Sequence, residues 1–235
     1  MDPLPKKLLI IDTETTGLDP SDSQCVEVGA ILFSLHSRAV LAQQSFLLPV
    51  TTNDAEHINK IPAEISNINQ PWLEGINYFN SLVASADLLV AHNASFDKKW
   101  FGIDPLPQLN KPWLCTMEDI PWSMSERLLS MRSRPSVRDL ALAYEVPVWS
   151  AHRALTDCSY IAEVFRRCEE LEKLILYGLE PRNLFRANVS YDERHLAKKA
   201  GFRWNDPIQG AWTKRLSRRE ASSLDFEVIE INPSI

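Results

Sequence analysis

The most informative part of this chain is an apolar run that ends in two acidic residues, and it reads Leu8-Leu9-Ile10-Ile11-Asp12-Thr13-Glu14-Thr15-Thr16-Gly17-Leu18. The run is typical of a strand buried on both faces, and Gly17 indicates a sharp turn after it. Because side chains alternate along a strand, Asp12 and Glu14 point to the same face. Two adjacent carboxylates repel each other unless a cation lies between them, and hard divalent cations take oxygen ligands. The pattern therefore favours a metal site over its alternative, a solvated acidic loop.

Two later segments place further metal-binding or proton-transfer groups near the ends of predicted elements. The first, Ala91-His92-Asn93-Ala94-Ser95-Phe96-Asp97, follows a second apolar run, so Asp97 is expected in the first turn of a helix capped by Asn93 or Ser95. The second, His152-Arg153-Ala154-Leu155-Thr156-Asp157-Cys158, opens an amphipathic helix and separates a histidine and an aspartate by a little more than one turn. Taken singly, each residue has an ordinary explanation, such as a helix N-terminal acid or a surface histidine. Their joint occurrence indicates one catalytic centre.

These three segments resemble the three motifs of the DEDDh 3′–5′ exonucleases, a DnaQ-like group of the ribonuclease H-like superfamily. The second and third segments, together with Trp113-Leu114-Cys115-Thr116-Met117, are most similar to bacterial exonuclease X. The resemblance covers residues 6 to 175 and implies an α/β fold, a ribonuclease H-like mixed sheet flanked by helices. Periodicity alone predicts only an α/β protein with a mixed sheet.

The resemblance also implies a role for each of the five candidate catalytic residues. Asp12, Glu14 and Asp157 would hold one metal ion, with Asp12 bridging to a second ion. Asp97 would act on the second ion through water, and His152 would be the general base, a task suited to an imidazole that titrates near neutrality. The expected cofactor is two Mg²⁺ or Mn²⁺ ions, which suit an all-oxygen ligand set. The expected reaction is phosphodiester hydrolysis that releases nucleoside 5′-monophosphates.

Substrate contacts are expected in the loops beside these ligands. In relatives, a leucine at the place of Leu18 lies against the terminal base, and the alternative is a turn residue that packs onto the protein. Residues 57–61 resemble a His-x-Ile segment that lines the terminal-nucleotide pocket, although relatives usually have glycine where Ile58 stands. Arg138 belongs to an arginine cluster that binds phosphates or forms a solvated basic face. The predicted substrate contacts are Thr15, Thr16, Leu18, His57, Ile61 and Asn93.

Composition narrows the class of protein. With 235 residues, 45% hydrophobic and 24% charged, the chain is typical of a soluble globular protein, and no apolar stretch approaches the length of a membrane span. The first seven residues lack the apolar core of a signal peptide, and the four cysteines show neither a Cys-x-x-Cys pair nor zinc spacing. We therefore expect free thiols and a cytoplasmic location. The net charge of −6 argues against nonspecific coating of nucleic acid but allows a nuclease whose metals supply positive charge.

Charge and turn residues divide the chain into a predicted exonuclease domain, residues 1–178, and a small basic and aromatic C-terminal α+β module, residues 183–235. Residues 182–235 carry 10 Lys and Arg against 7 Asp and Glu, a net of +3, whereas residues 1–181 carry a net of −9. Predicted strands are 7–13, 25–34, 39–48, 87–91 and 112–115. Predicted helices are 62–68, 72–85, 95–101, 116–128, 136–145 and 152–174.

The C-terminal module contains two capping-box signatures, Ser190-x-x-Glu193 and Ser217-x-x-Glu220, a predicted hairpin around residues 202–216 and a closing strand at 226–231. Gly201 suits the position after a helix end. Basic side chains interleave with aromatic ones, a pattern typical of nucleic-acid binding. The alternative is that Trp204 and Trp212 form the core of a very small domain, and at least one of them is expected to do so.

The function favoured by the sequence is a metal-dependent 3′–5′ exonuclease that acts on single-stranded or frayed DNA 3′ ends, in DNA repair. An RNA-trimming exoribonuclease is the alternative substrate class, because discrimination rests on contacts to the 2′-hydroxyl. A polymerase-bound proofreading subunit is also open, although no long polymerase-binding tail is visible. A catalytically dead binding module is disfavoured because all five catalytic residues are present. Neither membrane contact nor a particular oligomeric state is predicted.

Overall fold

The structure, a computed structural model, describes residues 4–122, 134–150 and 152–231. The chain forms two compact units and passes from the first to the second between Gly178 and Leu179. Within the described ranges, no helix combines the length and apolar character needed to cross a bilayer. All four cysteines are buried free thiols, as the sequence predicts.

The first unit is built on a mixed five-stranded sheet of order β3-β2-β1-β4-β5. Strand β1 pairs antiparallel with β2 and parallel with β4, which in turn pairs parallel with β5. The strands β1, β4 and β5 therefore end at the same edge, which is where the acidic segments follow them. The five strands are β1 (Lys7–Thr15), β2 (Cys25–Ser34), β3 (Ala39–Leu47), β4 (Leu88–Ala91) and β5 (Trp113–Cys115).

Helices cover both faces of this sheet. A core of aliphatic and aromatic side chains, including Leu9, Ile11, Val28 and Phe79, lies between the sheet and α3. Helix α4 continues into a 3₁₀ turn over Lys98–Trp100. The helices of this unit are α1 (Glu56–Asn59), α2 (Ala63–Ser66), α3 (Trp72–Ser85), α4 (Ala94–Asp97), α5 (Val137–Ala143), α6 (Ala154–Arg167) and α7 (Leu171–Gly178).

Helix α6 lies unusually close to strand β2. A Cβ atom at Gly29 would lie 2.4 Å from both the carbonyl carbon of Ala154 and the amide nitrogen of Leu155. One turn later, the Cys158 thiol lies 3.5 Å from the Gly29 carbonyl oxygen. Only glycine allows this approach, and it brings the start of α6 against the strand that pairs with β1.

Most predicted elements of this unit are confirmed, including all five strands, but two helix predictions are wrong in part. The single predicted helix 152–174 is two helices, because Arg38 binds the carbonyl oxygens of Phe165 and Cys168 at 2.7 and 2.6 Å and ends α6 there. Residues 116–120 form turns and a bend rather than the start of helix 116–128. There the Asp119 carboxylate accepts a hydrogen bond from the Cys115 backbone N–H at 2.8 Å, which closes a local turn. The remainder of that prediction, 123–128, lies outside the described residues.

The second unit is a four-stranded antiparallel sheet of order β7-β8-β6-β9 that packs on a small core of Phe185, Ala197, Phe202 and Leu216. Strand β6 was not predicted, because its sequence begins with two polar residues, Arg182 and Asn183, and has no clean alternation. The elements of the second unit are β6 (Arg182–Ala187), α8 (Arg194–Lys199), β7 (Arg203–Trp204), β8 (Trp212–Ser217), α9 (Arg218–Ser222) and β9 (Val228–Ile231).

The local predictions for this unit are largely confirmed. Ser217 and Glu220 form a reciprocal capping box at the start of α9. Ser190 and Glu193 make the same reciprocal bonds, but on a turn that precedes α8, so the predicted cap position is wrong. Trp212 packs against the core, as expected for one of the two tryptophans, whereas Trp204 is 52% exposed.

Candidate active site

The carboxyl end of β1 brings two of the predicted catalytic carboxylates to one face of the sheet. Asp12 pairs with Gly29 of β2, and Glu14 pairs two residues further along. Asp97 reaches the same place because β4 runs parallel to β1 and α4 follows it directly. The backbone N–H and hydroxyl of Thr13 donate to Asp97 Oδ1 at 3.0 and 2.8 Å, which fixes this carboxylate at the end of β1.

The start of α6 adds the last two predicted residues. One ligand atom each from Glu14, His152 and Asp157 lies within 4.8 Å of the others, a spacing that one metal ion can bridge. Asn93 occupies the N-cap position of α4, but its side chain makes no capping hydrogen bond. The structure thus brings together all five residues that the three sequence segments identified.

The acidic cluster is electrostatically strained. Burial, together with Asp97, Glu14 and Asp157, raises the pKa of Asp12 well above its usual range. Burial and neighbouring acids, Asp157 first among them, raise the pKa of Glu14 to about 8. Burial raises the pKa of Asp97 to about 7 even though Thr13 donates to it, and burial raises the pKa of Asp157 to about 6 although His152 opposes the shift. Hard cations with oxygen ligands relieve such repulsion, so the donor set fits a divalent metal ion.

An ion pair between a buried glutamate and an arginine whose side chain is 44% exposed, which the sequence motifs did not reveal, fixes the start of α6. Glu27 of β2 is 2% exposed and receives Arg153 Nε and Nη2 at 3.0 Å each, as a bidentate pair. The same carboxylate accepts the Ala154 backbone N–H at 3.0 Å and the Ser45 hydroxyl at 2.7 Å. In the sequence, this ion pair is indicated by a single acidic residue, Glu27, inside the apolar run of β2.

The backbone immediately before α6 is held in an uncommon conformation. His152 has φ of +59°, in the left-handed region that non-glycine residues rarely adopt. The hydroxyl of Tyr160, a residue of α6, holds the segment just before His152. It accepts hydrogen bonds from the N–H groups of Trp149 and Ser150 at 3.0 and 2.9 Å and donates one to the Ser150 carbonyl at 2.5 Å. Strain at one residue persists when the surroundings determine it, and such residues cluster at functional sites.

A cleft of about 750 Å³ opens over the acidic cluster. Five predicted substrate contacts, Thr15, Thr16, Leu18, His57 and Asn93, line it, and so does Arg138. The sixth, Ile61, is 2% exposed and packs in the core with Val26 and Val50, so the structure places it away from the cleft.

The loop after β1 presents its side chains to this cleft. Leu18 is 80% exposed, so it does not pack onto the protein as the alternative required. The Thr15 hydroxyl donates to the Gly17 carbonyl at 2.6 Å, and Asn59 donates to the Thr15 carbonyl at 3.1 Å. Helix α1, which the sequence did not predict, therefore supports the loop through Asn59. The sequence motifs did not identify Asn59 either.

Comparison with known proteins assigns the family. The family model RNase_T, described as Exonuclease, matches residues 9–165, and a model described as Domain of unknown function (DUF8626) matches residues 183–231. The first match covers more than half of the chain and includes all five candidate catalytic residues. The chain therefore belongs to the RNase_T exonuclease family.

Three individual proteins illustrate the similarity. DNA polymerase III PolC-type of Thermotoga petrophila is 28% identical over 181 residues, 71% of this chain and 12% of the polymerase, so the chain spans about an eighth of that relative. DNA polymerase III subunit epsilon of Treponema pallidum is 29% identical over 160 residues, 66% of this chain and 72% of the subunit. A solved structure of exonuclease X in complex with 5′ overhanging duplex DNA is 26% identical with a TM-score of 0.51, and the match covers 68% of this chain and 89% of that one.

Proposed function

We propose that this protein is a metal-dependent 3′–5′ exonuclease that hydrolyses phosphodiester bonds at DNA 3′ ends and releases nucleoside 5′-monophosphates. The observation that carries the proposal is the convergence of Glu14, His152 and Asp157 within 4.8 Å, beside two further buried acids. Such a cluster is costly unless a divalent ion neutralises it.

The proposed roles follow from the chemistry of the side chains. Asp12, Glu14, Asp97 and Asp157 would hold two Mg²⁺ or Mn²⁺ ions, which suit all-oxygen donor sets. When bound, the ions polarise the phosphoryl oxygens and lower the pKa of water. His152 accepts the proton of the attacking water, since it lies beside the carboxylates and opens to the cleft.

The cleft walls position the last nucleotide. Leu18, held outward by its loop, supplies an apolar surface for the terminal base, and Thr15, Thr16 and Asn93 offer polar groups close to the metal ligands. Arg138 on α5 provides an exposed cation at the cleft wall, suited to a substrate phosphate.

Two of the similar proteins support DNA as the substrate, and they suggest different settings. The exonuclease X structure contains duplex DNA with a 5′ overhang, which favours an enzyme that trims 3′ ends in repair. The match to the epsilon subunit of DNA polymerase III supports a second candidate, a proofreading exonuclease bound to a polymerase.

Digestion of 5′-labelled oligonucleotides tests the proposal. Single-stranded and 5′-overhanging DNA should shorten to a ladder with Mg²⁺ or Mn²⁺, remain intact with EDTA, and resist digestion when the 3′ end is blocked. Asp12→Asn, which removes one charge from the cluster without changing its shape, should be inactive. Faster digestion of RNA than of DNA would contradict the substrate assignment, and metal-independent cleavage would contradict the mechanism.

A further inference from the structure

The second unit has a cleft of its own, of about 480 Å³, whose lining includes Arg186, Tyr191, Arg194, Trp204, Gly210 and Trp212. Catalysis uses none of these residues. At Gly210 the mouth of the cleft is open, because nothing lies within 4 Å of the position that a Cβ atom would take.

Large aromatic rings face solvent at this cleft although the unit is small and needs apolar side chains for its core. Tyr191 is 77% exposed and Trp204 is 52% exposed, whereas Phe202, a neighbour in sequence, is 4% exposed and forms the core. The Trp204 and Trp212 rings lie 5.6 Å apart between centroids and are inclined by 52°, so they form an angled wall. Exposed aromatic surface of this kind is typical of a binding site.

Two cationic side chains lie at the same cleft as these rings. The guanidinium carbon of Arg194 lies 3.7 Å from the centroid of the Tyr191 ring, and its Nη1 donates to the Tyr191 carbonyl at 2.5 Å. Arg186 is exposed on β6 and lines the same cleft. Among the described residues that line the cleft, two are basic and none is acidic.

We propose that this cleft binds single-stranded DNA, with unpaired bases stacked on Tyr191 and Trp204 and the neighbouring phosphates paired with Arg186 and Arg194. Flat aromatic faces next to cations match the alternation of bases and phosphates along an unpaired strand. The local net charge of +3 over residues 182–235 complements a polyanion. The choice of DNA rests on the proposed function of the first unit, whereas the site itself is defined by the aromatic and basic lining.

Fluorescence anisotropy of a short labelled oligothymidylate, measured on the full-length chain in EDTA, tests the proposal without hydrolysis. Tyr191→Ala and Trp204→Ala should each weaken binding roughly 5- to 150-fold, the loss expected when a base-stacking ring is removed. Tyr191→Phe keeps the ring and should bind like the wild type. Tyr78→Ala, at a 46% exposed tyrosine on α3, is the matched control and should change nothing.

The salt dependence of binding tests the two arginines separately from the aromatic rings. Arg194→Ala should weaken binding. It should also make the negative slope of log affinity against log salt concentration shallower by about one, because one phosphate contact is lost. Arg218→Ala removes the same charge from an 82% exposed side chain of the same unit that does not line the cleft, and should alter the slope less.

The outcomes separate this inference from the proposed function. If the wild type digests DNA but Tyr191→Ala and Trp204→Ala bind oligothymidylate as tightly as the wild type, the cleft assignment fails and the exonuclease assignment stands. If these variants lose binding but the wild type digests nothing with Mg²⁺, the cleft assignment stands and the exonuclease assignment fails. An equal loss of affinity for blunt duplex DNA, or tighter binding of oligouridylate, would overturn the assignment to unpaired DNA.

Discussion

Glu14 and Glu27 lie directly opposite each other on the antiparallel strands β1 and β2, and their surroundings give them different tasks. Arg153 and the Ala154 backbone hold Glu27 as an ion pair. Burial and the neighbouring acids instead raise the pKa of Glu14 to about 8, so its ionised form requires a cation beside it. Like charges opposite each other destabilise a sheet, so Arg153 compensates the charge of Glu27, and a bound metal ion would compensate that of Glu14.

Glu27→Gln should lower both stability and turnover. The amide can no longer receive the bidentate guanidinium, so the start of α6, with His152 and Asp157, loses its anchor. We expect a stability loss of about 1.5–3 kcal/mol, the range for hydrogen bonds to charged groups, and a fall in kcat larger than the change in KM. Denaturant unfolding and steady-state kinetics check this. Glu163→Gln, which removes an exposed pair with Arg166 on the same helix, is the control and should change little.

The stability of the metal-free protein should fall as pH rises from 5 to 9. The pKa values of Asp157, Asp97 and Glu14 are raised to about 6, 7 and 8, whereas unfolded carboxyls titrate near 4. The folded state therefore binds more protons, and the stability from these groups is complete below about pH 4 and lost as pH rises through 6 to 8. Thermal unfolding in EDTA measures this. Glu14→Gln should flatten the profile, and a stability independent of pH in the wild type would contradict the prediction.

His152→Asn should lower turnover about 10²- to 10⁴-fold, the usual cost of losing a general base, while metal affinity changes much less. Asparagine is chosen because it tolerates the left-handed backbone that His152 adopts, so the fold is preserved. Single-turnover digestion and calorimetric titration with Mn²⁺ give the two quantities. Loss of metal binding with normal turnover at saturating metal would reassign the residue as a ligand.

Gly29→Ala should displace α6 from the sheet. The new methyl group would lie 2.4 Å from backbone atoms of Ala154 and Leu155, which cannot move without shifting the helix. We expect a loss of about 1–3 kcal/mol from overpacking, together with a marked loss of activity. Gly75→Ala is a useful comparison, because its methyl group, in the first turn of α3, would meet the Phe46 side chain at 2.9 Å. It should cost stability but leave activity nearly unchanged.

The convergence of the five candidate catalytic residues was predictable because its signals are local. Strand alternation places Asp12 and Glu14 on one face, and two segments that begin helices carry Asp97, His152 and Asp157. What sequence reasoning missed depends on contacts between distant residues. Glu27 meets Arg153 across 126 positions, and Arg38 ends α6 across 127. Neither leaves a periodic pattern in the sequence.

The misplaced substrate contact and the missed strand have similar causes. Ile61 was assigned through its similarity to a His-x-Ile segment, but burial with Val26 and Val50 places it in the core. Strand β6 forms because Phe185 and Ala187 face a core and the strand has neighbours on both sides. Its sequence alone, with arginines at residues 182 and 186, shows little strand propensity.

Helix α6 is anchored at both of its ends, by Glu27 at the Ala154 amide and by Arg38 at the carbonyl oxygens of Phe165 and Cys168. Terminal turns of most helices open and close at little free-energy cost, independently of the rest of the fold. Here such fraying would break the hydrogen bonds that Glu27 makes at the start of α6 or those that Arg38 makes at its end. Helix α6 can therefore open only together with the sheet beneath it. His152 and Asp157 should therefore keep their geometry up to the melting temperature, and inactivation by heat should coincide with global unfolding instead of preceding it.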